Sequence, residues 1–138
     1  SRGVLPISTP DEFEAHLRTM IRMCREQAGA QVIVFGNHGA RSLLILPSGL
    51  GYDETRAQYS AAAQRAAKGA GVRFCDMAEV FSAAGLHVDD IVNEDGVHLS
   101  PQGLRAYAQI AANEIMRALR IFTNAQHPTR NMQQAEEE

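Results

Sequence analysis

The sequence is poor in the features that narrow a function from composition alone. Only two cysteines occur in 138 residues, Cys24 and Cys75. That is too few for a disulfide framework, so buried thiols are expected. Positive charge is not in excess either, with 13 Lys and Arg against 16 Asp and Glu and a net charge of -3. Nucleic acid and anionic membrane surfaces are held by clustered positive charge, and the arginines here are scattered, so no nucleic-acid partner is expected. No apolar run approaches the roughly 20 residues that span a bilayer, and Ser1-Arg2-Gly3-Val4-Leu5-Pro6 lacks a signal-peptide core. Nothing in the sequence assigns a compartment. Internal repeats are absent. The chain begins at Ser1 rather than Met, and a removed or separate upstream segment is expected.

What is present reads as an α/β domain. Hydrophobic residues make up 45% of the chain, ordinary for a globular core. Thr9-Pro10-Asp11-Glu12 forms a capping box with proline at the first helical position, so a helix starts there. Phe13, Leu17, Met20, Ile21 and Cys24 recur at helical spacing, and Ala28-Gly29 ends the helix. Residues 31–36 carry the continuous apolar run Val32-Ile33-Val34-Phe35 rather than an alternating pattern, as in a parallel strand buried on both faces. The apolar patch Leu43-Leu44-Ile45-Leu46 is a short strand, a pocket wall or a subunit contact. Asp53 is placed to cap an alanine-rich helix that ends near Gly69-Ala70-Gly71 and leads into a second strand over residues 72–75. A short helix from Met77 stops at Gly85, and residues 86–93 then cross the chain with His87, Asp89 and Asp90 exposed. These three have no second ligand cluster, so no metal and no cofactor is expected. A final amphipathic helix carries Leu104, Tyr107, Ala108, Ala111, Ile115, Ala118, Leu119 and Phe122 on one stripe. Residues 1–122 are read as one domain and residues 123–138 as a flexible polar tail.

The chemistry concentrates in Glu94-Asp95-Gly96-Val97-His98-Leu99-Ser100-Pro101-Gln102-Gly103. A carboxylate three residues before a histidine, in a glycine-containing turn, can accept the proton of Nδ1. That bond fixes the tautomer and leaves Nε2 free as a base. Ser100-Pro101 then opens a helix that anchors the turn, since serine is a preferred cap and proline suits the first position. Asp95 and His98 are therefore the candidate catalytic residues. Asn37 and His38 follow the first strand, where ligands of open α/β sheets bind, and are candidate substrate contacts.

Asp95-Gly96-Val97-His98-Leu99-Ser100-Pro101-Gln102-Gly103, followed by an amphipathic helix, resembles the last motif block of the SGNH/GDSL hydrolases. The likeness extends upstream over roughly residues 8–120, with Asp76 resembling a position that is commonly acidic in the family. It implies a three-layer α/β/α sandwich of flavodoxin-like type with a parallel sheet, and a Ser-His-Asp triad to which this block contributes Asp95 and His98. The family's Gly-Asp-Ser nucleophile block does not occur in the sequence, and Gly36-Asn37-His38-Gly39 departs from its Gly-x-Asn-Asp block. The chain is accordingly read as the C-terminal part of such a domain. An N-terminal fragment, a subunit or a second copy would complete it and its exposed sheet edge. The implied reaction is ester hydrolysis, on a small ester or an acylated glycan or lipid. No serine of this chain stands out as nucleophile: Ser48 lies in a Pro-Ser-Gly turn, Ser100 is explained as a cap, and Ser42, Ser60 and Ser82 have no supporting motif. The alternative is a non-catalytic interaction or structural module on a truncated or degenerate scaffold of this type.

Overall fold

The computed structural model describes residues 8–41, 45–46 and 49–126, with side chains to residue 120. Its elements are α1 (Pro10–Ala28), β1 (Ile33–Phe35), α2 (Tyr52–Gly69), β2 (Arg73–Cys75), α3 (Met77–Ala83), α4 (Val88–Ile91) and α5 (Pro101–Gln126). The chain divides into two compact units, Ser1–Arg105 and Ala106–Glu138.

In the first unit, β1 and β2 are neighbours and parallel, with Ile33 opposite Arg73, Val34 opposite Phe74 and Phe35 opposite Cys75. Helix α2 lies between them in sequence, as the spacing of the two apolar runs predicts. Both strands are three residues long. The expected burial on two faces is not found among the described residues: all three residues of β1 are partly exposed, and in β2 Arg73 is exposed while Cys75 is buried.

Helix α1 starts as the sequence requires. The Thr9 hydroxyl accepts from the Glu12 amide at 3.2 Å, and the Glu12 carboxylate accepts from the Thr9 amide at 2.7 Å. Those bonds from Thr9 hold the Glu12 carboxyl below its ordinary range. The helix ends on Gly29 in the left-handed region at φ 59°. Ile21 is its one buried residue among the apolar stripe, and Met20 and Cys24 are exposed. The expectation of a buried Cys24 thus fails, because the stripe narrows toward the end of α1, whereas Cys75 is buried as expected.

Helix α2 contributes the densest packing. Ala62, Ala63, Ala66 and Ala67 are all buried, and their small side chains allow close approach to α1 and β2. Phe13 meets Tyr59 edge to face at 5.4 Å, and Arg65 on α2 bonds Glu14 on α1 at 2.7 Å. Arg65 and then Arg18 hold the Glu14 carboxyl below its ordinary range. Asp53 does not cap α2. The cap position is Gly51, which has no side chain to bond, and Asp53 sits in the first turn paired with Arg56 at 3.0 Å. Asp76 caps α3 instead, accepting from the Ala78 and Glu79 amides, and takes a third bond from the Ser60 hydroxyl. Phe81 and Met77 of α3 are buried with Ile91 of α4. Of the 43–46 patch, Ile45 is exposed and bridges to Gly51, while residues 43 and 44 lie outside the described residues.

Helix α5 begins in the first unit and continues through the second. Its stripe is only partly covered: Tyr107, Ala111 and Ala118 are half-buried, whereas Leu104, Ile115 and Leu119 are exposed. The buried side chain here, among the described residues, is that of Glu114, which pairs with Arg117 at 2.9 Å. The helix runs on to Gln126, beyond the boundary expected after residue 122, and residues 127–138 lie outside the described residues. No helix among the described residues is long and apolar enough to cross a membrane.

Candidate active site

Residues 93–98 fold into a turn closed on itself. The Asn93 amide donates to the His98 carbonyl at 2.8 Å, and the Gly96 amide returns to the Asn93 carbonyl at 2.9 Å. Gly96 sits at φ 73°, a conformation that disfavours a side chain. Below the turn the chain is pinched by a bridge between Val92 and Leu99 and by the Ser100 amide, which donates to the Ile91 carbonyl at 2.8 Å. Ser100 then caps α5, its hydroxyl accepting from the Gly103 amide at 3.1 Å. Gly103 lies directly against the Ile91 carbonyl, where a Cβ would clash.

Within this frame one carboxylate organises the chemistry. Asp95 Oδ1 accepts from the amides of Val97 at 2.8 Å and His98 at 2.9 Å, and Asp95 Oδ2 lies 2.8 Å from His98 Nδ1. The Val97 amide, the His98 amide and then the His98 ring together bring the Asp95 carboxyl from its ordinary 3.8 down to about 2. An ionised Asp95 accepts only, so Nδ1 carries the proton and Nε2 is the open nitrogen of the neutral ring. Among the described residues Nε2 has no hydrogen-bond partner. The pair is exposed, with 79% of the His98 side chain and 49% of Asp95 open to solvent. A positioned acceptor, a fixed tautomer and an open Nε2 are the parts of a general base.

Asn37 and His38 lie on the loop after β1, and they face different ways. Asn37 folds back on its own loop, its Oδ1 accepting from the Gly39 amide at 3.1 Å. It borders a cavity of about 310 Å³ walled by Phe13, Phe35, Tyr52, Tyr59 and Ala63. The Thr55 hydroxyl, also on that wall, is buried without a partner among the described residues. His38 instead reaches the turn at residues 93–98, with Nε2 3.0 Å from the Val97 carbonyl. Neither Asp95 nor His98 lines this cavity or the smaller one beside His38.

Other expected features resolve simply. His87, Asp89 and Asp90 do not converge on a metal, and no group of three potential ligands occurs among the described residues. Asp90 accepts from the His87 amide and Asp89 pairs with Arg41 at 3.3 Å. Ser60 donates to Asp76, and Ser42 and Ser48 lie outside the described residues. Sequence reasoning passed over Arg41, whose amide donates to the Gly96 carbonyl at 2.6 Å. No local pattern marks it, because its partner is 55 residues away.

The model of the GDSL-like lipase/acylhydrolase family matches residues 5–106. The chain belongs to this family. No curated protein sequence matches it. Among solved structures, it resembles the esterase domain of the ZfL2-1 ORF1 protein from the zebrafish ZfL2-1 retrotransposon, at 19% identity and a TM-score of 0.57. The match covers 83% of this chain and 61% of that one, so the chain spans less than two thirds of its structural relative. At that identity the likeness is one of fold. It agrees with the α/β architecture of parallel strands and helices described above.

Proposed function

We propose that Asp95 and His98 are the acid-base half of a serine ester hydrolase site, and that the serine and the oxyanion donors come from polypeptide outside residues 1–138. The observation that carries this reading is the 2.8 Å contact between Asp95 Oδ2 and His98 Nδ1, in a turn whose two amides hold the carboxylate ionised. Family membership supports it.

In such a reaction the serine Oγ attacks the ester carbonyl carbon while His98 Nε2 takes the hydroxyl proton. Asp95 stabilises the imidazolium that forms. The tetrahedral intermediate collapses, the ester C–O bond breaks, and Nε2 returns the proton to the departing alcohol. Water then repeats the sequence on the acyl-enzyme, with Nε2 taking its proton and returning it to the serine. The substrate is a small ester or an acylated glycan or lipid. The largely apolar cavity beside Asn37 is suited to its acyl group.

The test is turnover of p-nitrophenyl acetate by the purified chain and by the chain completed with a Gly-Asp-Ser-bearing segment. The chain alone is expected to stay at background and the completed protein to turn over, losing activity on His98→Ala. Turnover by the chain alone, with a fluorophosphonate labelling one of its own serines, overturns the external nucleophile. A completed protein with no activity favours the non-catalytic module.

A further inference from the structure

The turn that presents His98 is held from two sides. On the inner side, Asp95 Oδ1 accepts the N–H groups of the two successive peptide units that flank Val97. On the outer side, the carbonyls of those same two units are bonded by the loop after β1. The Gly96 carbonyl accepts from the Arg41 amide at 2.6 Å, and the Val97 carbonyl lies 3.0 Å from His38 Nε2. Each peptide unit is thus fixed at both ends, one end by the catalytic carboxylate and the other by a residue more than 50 positions upstream. The close approach of Gly96 to the Arg41 carbonyl, where a Cβ would stand at 2.7 Å, locks the same contact sterically.

From this double attachment we propose that His38 is a positioning residue for the Asp95–His98 pair, bracing the turn through the Val97 carbonyl rather than touching substrate. The proposal rests on the hydrolase reading of the site. Its chemistry follows from the acceptor. A carbonyl only accepts, so Nε2 of His38 carries the proton, which is true of both the neutral Nε2–H tautomer and the imidazolium. A donor on the carbonyl also polarises the peptide and strengthens its N–H as a donor, here toward Asp95. His38 thereby sets both the place of the turn and the quality of the bonds that keep Asp95 ionised. Exposure makes such a brace necessary: His98 is 79% open to solvent, so side-chain packing contributes little to its position.

Two substitutions separate this role from general stability. The side-chain amide nitrogen of Gln reaches the place of Nε2, whereas that of Asn reaches only the place of Nδ1. In the purified chain, His38→Asn is expected to speed hydrogen exchange of the Val97 and His98 amides by about fivefold, the loss of one ordinary hydrogen bond. The Asp95 carboxyl, followed by NMR, is expected to titrate at a higher pH. His38→Gln should restore both toward wild type, and exchange in β1 and β2 should not change in either variant. In a completed enzyme, His38→Asn lowers kcat with KM unchanged. Unaltered exchange and titration in His38→Asn overturn the proposal, as does equal acceleration in β1 and β2, which would mean a general loosening. Both readouts need no turnover. A brace intact in a completed but inactive protein would remove the hydrolase reading alone, and with it the catalytic meaning of the brace.

Discussion

The packing of α2 against α1 and β2 and the turn at residues 93–98 achieve order by opposite means. In the first, buried alanines of α2 and the Phe13–Tyr59 pair exclude water, and the force is non-directional. In the second little but Gly96 is buried, and the geometry comes from directional bonds to one carboxylate and four backbone carbonyls. The lesson is that apolar packing and directional bonding are placed in different residues here. On the proposed reading the base meets a serine from elsewhere and stays open, so the turn is held mainly by hydrogen bonds rather than by packing.

The comparison breaks most visibly in activity. In a completed enzyme, His98→Ala is expected to reduce ester turnover to background and Asp95→Asn to lower kcat by about 10⁴, the loss seen for the Asp of a serine-protease triad. A small loss in both would mean that the exposed turn is not the site. The same two regions should separate in urea unfolding of the chain. Phe81, buried in α3, is expected to cost about 3–5 kcal/mol on Phe81→Ala. His98→Ala should stay within about 0.5 kcal/mol of wild type. A destabilising His98→Ala would show the turn to be part of the folding core after all.

Asp76 tests the border between the two regimes, since it is a polar residue with a structural task. Asp76→Ala removes the acceptor for two amides of α3 and is expected to cost about 0.5–2 kcal/mol in the same measurement. The smallest effect is that of pH. The Asp95 carboxyl titrates near 2 folded and at its ordinary 3.8 unfolded, so its ionised form favours the folded state. That contribution is complete above the unfolded value and is lost as pH falls from about 4 to about 2. The margin of wild type over Asp95→Asn in urea midpoint should narrow through that window. A margin that does not change with pH would mean that the amides of Val97 and His98 do not hold the carboxylate in solution.

How much of this could be read from the sequence follows the same division. The capping box at Thr9, the parallel strands with an intervening helix, and the pairing of Asp95 with His98 are all set within a few residues or by a periodic pattern, so they were legible. The failures lie where a pattern is overridden by what surrounds it. Asp53 looks like a helix cap, yet the helix begins one residue before it and Arg56 takes its carboxylate. Cys24, Ile115 and Leu119 fall on apolar stripes but are exposed, because periodicity shows a face and not what covers it. The bond of His38 to Val97 is illegible for a further reason: it spans 59 residues to a backbone carbonyl, a partner that leaves no trace in residue type.

The central claim is that Asp95 fixes His98 with Nδ1 protonated and Nε2 bare. Long-range ¹⁵N–¹H correlation spectroscopy of the histidine rings in the purified chain, near pH 8, reads this directly. His98 is expected to show an Nδ1–H tautomer that shifts toward the ordinary Nε2–H form in Asp95→Asn. A His98 ring that carries its proton on Nε2 in the wild type, or that is unchanged in Asp95→Asn, would contradict the assignment of this turn as the base of a hydrolase site.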